Sequence, residues 1–317
     1  MSDGADIMSS VRREPVRGDG LIYVLVTPAR NEACFIEDTI RSVIAQTNRP
    51  LRWVIVSDGS TDETDEIVTR YTKDNSWIEF VRMPTRRERD FAGKVHAFSA
   101  GYARLQKLSF DVVGNLDADI SFDKNYFELL LAKFAEMPRL GVAGTPFREG
   151  DHQYDFRFAS IDHVSGACQM FRRDCFDMIG GYRPVRGGGI DWIAVTTARM
   201  RGWQTRTFLD THCKHNRPIG TASNDVLGAS FKAGQKDYRL GGHPVWELFR
   251  GVYQMRSRPY GLRGLILMSG YFWDFVRRAE KSVDIELQRF HRKEQVQRLK
   301  GIFSRCMTSR RTSVTKC

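Results

Sequence analysis

Leu21-Ile22-Tyr23-Val24-Leu25-Val26-Thr27-Pro28-Ala29-Arg30-Asn31-Glu32 runs from six apolar residues into a polar cluster. A short, continuous apolar run predicts a strand buried on both faces of a parallel sheet. Ile36, Ile40, Val43 and Ile44 follow at helical spacing, which predicts an amphipathic helix. The unit then repeats. Residues 53–56 read as a second strand. Ser57-Asp58-Gly59-Ser60-Thr61-Asp62-Glu63 reads as a loop and helix start, with Ser60 and Glu63 at capping-box spacing. Ile67, Val68 and Tyr71 continue that helix. Residues 78–81 read as a third strand, and 94–105 as a helix with Val95, Phe98, Tyr102 and Leu105 on one side. Residues 112–116 form a fourth strand ending at Asp117-Ala118-Asp119. Phe127, Leu130, Leu131 and Phe134 mark the next helix.

Strand–helix alternation predicts an α/β fold, an open and mostly parallel sheet flanked by helices, with right-handed crossovers. Ligands of such sheets bind beyond the carboxyl ends of the strands. Residues 27–32, Asp58, and Asp117 with Asp119 all follow strands at that edge. Three polar clusters far apart in sequence therefore meet in one predicted cleft.

The pair Asp117 and Asp119 gives that cleft a chemistry. Two carboxylates one residue apart on a turn can address one hard cation. Mg2+ or Mn2+ takes oxygen ligands and completes its shell with water and substrate phosphates. A departing diphosphate gains negative charge and needs such a partner. A lone D-x-D is a weak signal; its position at a strand end strengthens it.

Together these residues resemble the family 2 glycosyltransferases of the GT-A fold, the kind that builds bacterial polysaccharides and glycolipids. The matching motifs are residues 27–32, Val56 to Asp62, Gly93-Lys94, Asp117-Ala118-Asp119, Gly180-Gly181-Tyr182 and residues 187–203. They occur in the family's order and spacing, over roughly residues 21–220. The resemblance implies that Thr27, Ala29 and Glu32 line a nucleoside pocket and that Asp58 hydrogen-bonds the base. Ser57 stands where the family has a first Asp, so the base is less defined. Lys94 is implied near the nucleotide, Asp119 as principal metal ligand, and Asp117 on the ribose or the metal. His215 is implied as a third metal ligand, with His212 as competitor, and Arg217 as a diphosphate contact. The implied base is Asp191, which precedes a helix ending in Gly202-Trp203; Ile190 replaces an acid often found beside it. One carboxylate suffices to deprotonate an acceptor hydroxyl. The competing role for Asp191 is a helix N-cap.

The expected function is therefore a metal-dependent, inverting transfer of one sugar. The donor is a nucleotide-sugar, a UDP-sugar first of all. The acceptor is a hydroxyl of a glycan or lipid-linked molecule, and the cofactor Mn2+ or Mg2+. The competing readings are a silent carbohydrate-binding scaffold and a sugar-phosphate nucleotidyltransferase. Residues 27–32 lack the glycine-rich loop of the latter, and no G-x-G-x-x-G follows Val26 to suit a dehydrogenase. Gln169-Met170-Phe171-Arg172-Arg173 only partly mimics the Q-x-x-R-W motif of processive synthases.

The remaining sequence divides the chain. Residues 1–20 read as a flexible polar leader, 21–225 as the GT-A domain, and 226–317 as a basic, aromatic helical extension. Leu265, Tyr271, Phe272 and Trp273, bracketed by Arg263, Arg277 and Arg278, suit an anionic membrane interface. Lys and Arg outnumber Asp and Glu by 49 to 38. That excess lies largely in the extension and leader, so it favours a membrane surface over nucleic acid as partner. None of the six cysteines forms a C-x-x-C pair, and no apolar run approaches the ~20 residues of a membrane span. Reduced thiols and a cytoplasmic location, peripheral on the inner face of the cell membrane, are expected.

Overall fold

β1 (Tyr23–Ala29) shows why the opening stretch decides the fold. Side chains alternate across a strand. Tyr23 and Leu25 therefore enter one apolar core, and Val24 and Val26 enter the other. With both faces covered there is no polar face, and the run reads as continuously apolar. The computed structural model describes residues 20–85, 91–148, 160–185, 187–217 and 226–314. The predicted leader, apart from Gly20, and the predicted boundary at 225 fall outside the described residues.

β1 pairs in parallel with β2 (Arg52–Ser57) on one side and β4 (Val112–Leu116) on the other. β3 (Ile78–Arg82) extends the sheet beyond β2, also in parallel. α1 (Ile36–Ile44), α2 (Thr64–Asp74) and α3 (Phe91–Leu105) make the crossovers. The chain winds from β1 out to β3, then returns to lay β4 beside β1. That reversal opens a crevice at the carboxyl ends of β1 and β4. β5 (Ile120–Ser121) and α4 (Tyr126–Glu136) follow. β6 (Leu140–Gly144) and β8 (Cys168–Arg172) complete the middle of the sheet, and β9 (Gln204–Thr207) its far edge. β8 runs antiparallel to both β4 and β6; the other pairings are parallel, as expected.

β7 (Phe147–Arg148) and β10 (Cys213–His215) join β5 in a small second sheet. β10 lies antiparallel to β5, with His215 opposite Ile120. The sheet carries residues 215–217 back onto the loop after β4. α5 (Arg173–Ile179) and α6 (Ile190–Met200) lie between β8 and β9.

The extension forms α7 (Val226–Arg239), α8 (Pro244–Gln254), α9 (Leu262–Val276) and α10 (Ile285–Val314). Its helices meet backbone to backbone. A Cβ on Gly234 would lie 2.0 Å from the Leu267 carbonyl oxygen, and one on Gly270 2.0 Å from that of Phe231. Gly264 approaches the Gly251 carbonyl as closely, at 2.1 Å. α10 packs on α6, where Arg199 donates to both carboxylate oxygens of Glu294 at 2.7 and 3.1 Å. Leu287 and Leu299 are buried, whereas Ile285 is 63% exposed.

Candidate active site

The loop after β1 is fastened to the loop after β2 by the residues that make both motifs polar. Asn31 adopts a left-handed conformation, φ 56°, which Asn tolerates better than most residues. Its Oδ1 accepts from the Thr61 amide at 2.8 Å, and its own amide donates to Ser60 Oγ at 3.2 Å. The Glu32 amide donates to Thr64 Oγ1 at 2.8 Å, and the Ala33 amide to Asp62 Oδ2 at 3.0 Å. Gly59 turns with φ 66°, and a Cβ there would lie 2.5 Å from the Thr85 Cα. The predicted Ser60–Glu63 capping box does not form. Ser60 is engaged with Ser57 and Asn31, and Asp62 Oδ1 instead accepts from the Thr64 amide at 3.1 Å.

These loops frame a cavity of about 520 Å³ whose wall includes Ala29, Arg30, Glu32, Asp58, Lys94, Asp117, Asp119, His215 and Arg217. Eight of the sequence-selected residues, Ala29, Glu32, Asp58, Lys94, Asp117, Asp119, His215 and Arg217, thus meet in one space. Thr27 does not join them. It is fully buried, and its Oγ1 accepts the Trp53 indole N–H at 2.9 Å; a buried indole needs such an acceptor. Asp191 also lies outside the wall. It is the second residue of α6, whose N-cap is Gly189, so the capping role is excluded. The Gly166 backbone packs against its carboxylate, a Cβ there lying 3.0 Å from Oδ2. Gln169 reaches the Asp191 carbonyl at 3.5 Å and the Val164 carbonyl at 2.9 Å, while accepting from the Tyr182 hydroxyl at 2.7 Å. The glutamine of the partial Q-x-x-R-W motif thus braces the segment that carries Asp191.

Each acid in the cavity faces a cation. Asp58, 5% exposed, has Arg30 at 3.7 Å. Arg30 is a residue to which the sequence reading gave no role, although it sits inside the first motif. Lys94, in the first turns of α3, donates to Asp117 Oδ1. Burial and then the neighbouring charge of Asp119 push the Asp117 carboxyl up, against the opposing pull of Lys94. Burial works against the Lys94 charge, but Asp117, Asp191 and Asp119 outweigh it and hold its pKa above the ordinary lysine value. Asp191 therefore stands within electrostatic reach of the cavity. Arg217 pairs with Glu32 and lies 3.2 Å from Asp119 Oδ2 through Nε.

His215 bears on whether a divalent cation suits this site. Its Nδ1 lies 2.7 Å from the Arg217 carbonyl oxygen. That oxygen can only accept, so Nδ1 carries the hydrogen. In the neutral ring Nε2 then presents a lone pair, and it faces Asp119 Oδ2 at 3.7 Å. A metal-binding histidine usually donates its other ring N–H to a carbonyl or carboxylate, as His215 does to the Arg217 carbonyl. Ligands about 2.1 Å from a metal at right angles stand roughly 3 Å apart, so small side-chain adjustments bring this pair into range. Among the described residues no group of three or more acids, His or Cys closes a complete cage. Asp119 and His215 together would leave the rest of a cation's shell to water and phosphate oxygens, which Mg2+ and Mn2+ accept. His212 does not line the cavity. Alternation along the strand puts Cys213 and His215 on one side and Lys214 on the other.

The architecture is that of the GT-A glycosyltransferases. The family model described as "Glycosyl transferase family 2" matches residues 24–186, about half of the chain, and the chain belongs to that family. Poly-beta-1,6-N-acetyl-D-glucosamine synthase of Staphylococcus aureus (strain MSSA476) is 32% identical over 129 residues, covering 40% of this chain and 29% of the synthase. The Staphylococcus epidermidis synthase is 29% identical over 137 residues, covering 43% and 31%. The chain thus matches less than a third of the length of these relatives. Among solved structures, mannosyltransferase PcManGT from Pyrobaculum calidifontis, in complex with GDP-Man and Mn2+, aligns with TM-score 0.55 and 19% identity over 84% of this chain and 77% of that one. S. aureus TarS 1-349 in complex with UDP-GlcNAc aligns with TM-score 0.51 and 14% identity over 86% and 78%. At these identities the likeness concerns the fold.

Proposed function

We propose that the chain is a metal-dependent, inverting glycosyltransferase that moves one sugar from a nucleotide-sugar, a UDP-sugar in the first instance, to a hydroxyl of a glycan or lipid-linked acceptor. The observation that carries this reading is the pairing of His215 Nε2 with Asp119 at the edge of a cavity ringed by acids and cations. Asp58, beside Arg30, accepts from the nucleobase. Ala29 and Glu32 border the nucleoside, and Asp117 accepts from the ribose or assists the metal. Lys94 and Arg217 turn from their carboxylates to the diphosphate. Asp119 and His215 hold Mn2+ or Mg2+, which when bound supplies positive charge to the leaving diphosphate. Asp191 takes the proton from the acceptor hydroxyl as that oxygen attacks the anomeric carbon. Two structural neighbours are solved in complex with UDP-GlcNAc and with GDP-Man, which supports a nucleotide-sugar donor without selecting the sugar.

Residues 21–225 are the catalytic unit in this reading, and 226–317 an extension that rests on an anionic membrane surface from the cytoplasmic side. Among the described residues no helix is long and apolar enough to cross a membrane. α8 and α9 nonetheless expose Leu248, Val252, Leu265, Trp273 and Phe275 near Arg256, Arg258, Arg277 and Arg278.

A panel of UDP-, GDP- and dTDP-sugars with Mn2+ or Mg2+, read by thermal shift and donor hydrolysis, tests the donor reading. One donor should give metal-dependent protection, and Asp119→Ala should abolish it. Protection that ignores the metal and survives Asp119→Ala would overturn the assignment.

A further inference from the structure

A second cavity, of about 360 Å³, lies between the loop before α6 and the outer face of α7. Gly187 and Gly188 form one wall; Lys232, Lys236, Arg239 and Ser282 contribute the other. Lys232 and Lys236 are one helical turn apart and share a face. Among the described residues no carboxylate pairs with either lysine. Arg239 is held differently. Its Nε donates to Asp274 Oδ2 at 2.7 Å, and Asp274 also accepts from Gln235 at 2.9 Å. Asp274 is 2% exposed. The buried carboxylate fixes the guanidinium while leaving its terminal nitrogens, and a Cβ on Gly187 would sit 3.7 Å from Nη1. Three cations thus face this cavity against one carboxylate.

The opposite wall carries no side chains. Gly187 and Gly188 both have φ 86°, a conformation L side chains rarely adopt. Bare backbone opposite a fixed guanidinium and two lysines suits a compact, multiply charged anion. Asp191 is four residue steps beyond Gly187, so their Cα atoms are at most roughly 14 Å apart. That reach accommodates one sugar ring with an attached phosphate.

The geometry points to this cavity as the seat of a phosphate or diphosphate monoester on the acceptor, holding it while its sugar hydroxyl is presented to Asp191. The inference rests on the glycosyl-transfer reading above and specifies its acceptor as a phosphorylated one. Lysines on a solvated helix would show neither a confined cavity nor an arginine anchored by a buried acid.

The test is calorimetric titration of the whole 317-residue chain with inorganic pyrophosphate, with UDP already saturating and Mn2+ kept in excess of both. One equivalent of pyrophosphate should still bind, and Lys232→Ala/Lys236→Ala should weaken it at least about tenfold. The melting temperature of the double variant serves as folding control. Pyrophosphate that competes with UDP, or binds the double variant as it binds wild type, would overturn the inference. A parallel arm measures phosphatidylglycerol vesicles. If the double variant loses vesicle binding while keeping pyrophosphate affinity, the lysines serve a lipid surface and the inference fails. UDP binding is read separately, so failure of the donor reading is distinguishable from failure of this one.

Discussion

Asp191 and Asp119 are both carboxylates, and their surroundings give them different work. Asp119 lies beside the His215 ring and an arginine Nε, a setting for holding positive charge. Asp191 lies against bare glycine backbone, outside the cavity wall, with no cation among its described side-chain contacts. If it is the general base, Asp191→Asn keeps the shape and the helix but loses the proton acceptor. Transfer should then fall by roughly two to four orders of magnitude, the usual scale of general-base catalysis. Affinity for the nucleoside diphosphate should change little. Steady-state transfer beside calorimetric UDP binding checks both halves; near-wild-type turnover would remove Asp191 from the mechanism. Asp58, Asp117 and Asp119 were legible because acids at strand ends have few structural uses. Thr27, which stands outside the cavity wall, was grouped with them because a hydroxyl beside a motif and a hydroxyl beside a buried indole look alike in sequence. Arg30 was passed over because its partner, Asp58, is 28 positions away.

Local pattern was enough to draw most elements of the catalytic sheet, since each of β1 to β4 is an apolar run and each of α1 to α4 a periodic one. It could not orient β8, because antiparallel pairing depends on partners rather than on the strand's own residues. Nor could it foresee β10, three residues that matter only by lying opposite β5. In the extension, Glu247 of α8 is 1% exposed, its Oε1 has no hydrogen-bond partner, and Arg250 stands 4.0 Å from Oε2. Burial raises its pKa from the ordinary 4.5 to about 8. Below 4.5 both folded and unfolded chains hold this proton. Between 4.5 and about 8 the unfolded chain releases it and the folded chain does not, so stability falls as pH rises. The slope is at most about 1.4 kcal/mol per pH unit from this group. Glu247→Gln should therefore flatten the decline in melting temperature from pH 5 to pH 8; an unchanged slope would point to another group. The seam between α7 and α9 offers a separate test. Gly270→Ala puts a methyl group into the Phe231 carbonyl and should cost on the order of 1–3 kcal/mol, read by denaturant unfolding.

At the scale of the molecule, the extension is joined to the helix that carries Asp191. Arg199 of α6 grips Glu294 of α10, Arg183 pairs with Asp284 at 3.3 Å, and the Trp192 ring meets His291 edge-on at 4.5 Å. If α8 and α9 rest on a membrane, the chain should co-sediment with phosphatidylglycerol vesicles far better than with phosphatidylcholine ones. Binding should weaken as salt rises without vanishing, because apolar insertion is not screened. Trp273→Ser should reduce the salt-resistant part. Equal binding to neutral and anionic vesicles, or none, would argue against this surface. The glycine seams of the extension have one more consequence. A seam made of glycine has no volume to fill, so the apolar side chains of α9 cannot be spent inside. Of its fifteen residues only Gly264, Leu267, Gly270, Tyr271 and Asp274 are buried. Leu262, Leu265, Trp273, Phe275 and Val276 stay exposed, and the thinness of the joint is what makes that outer surface greasy.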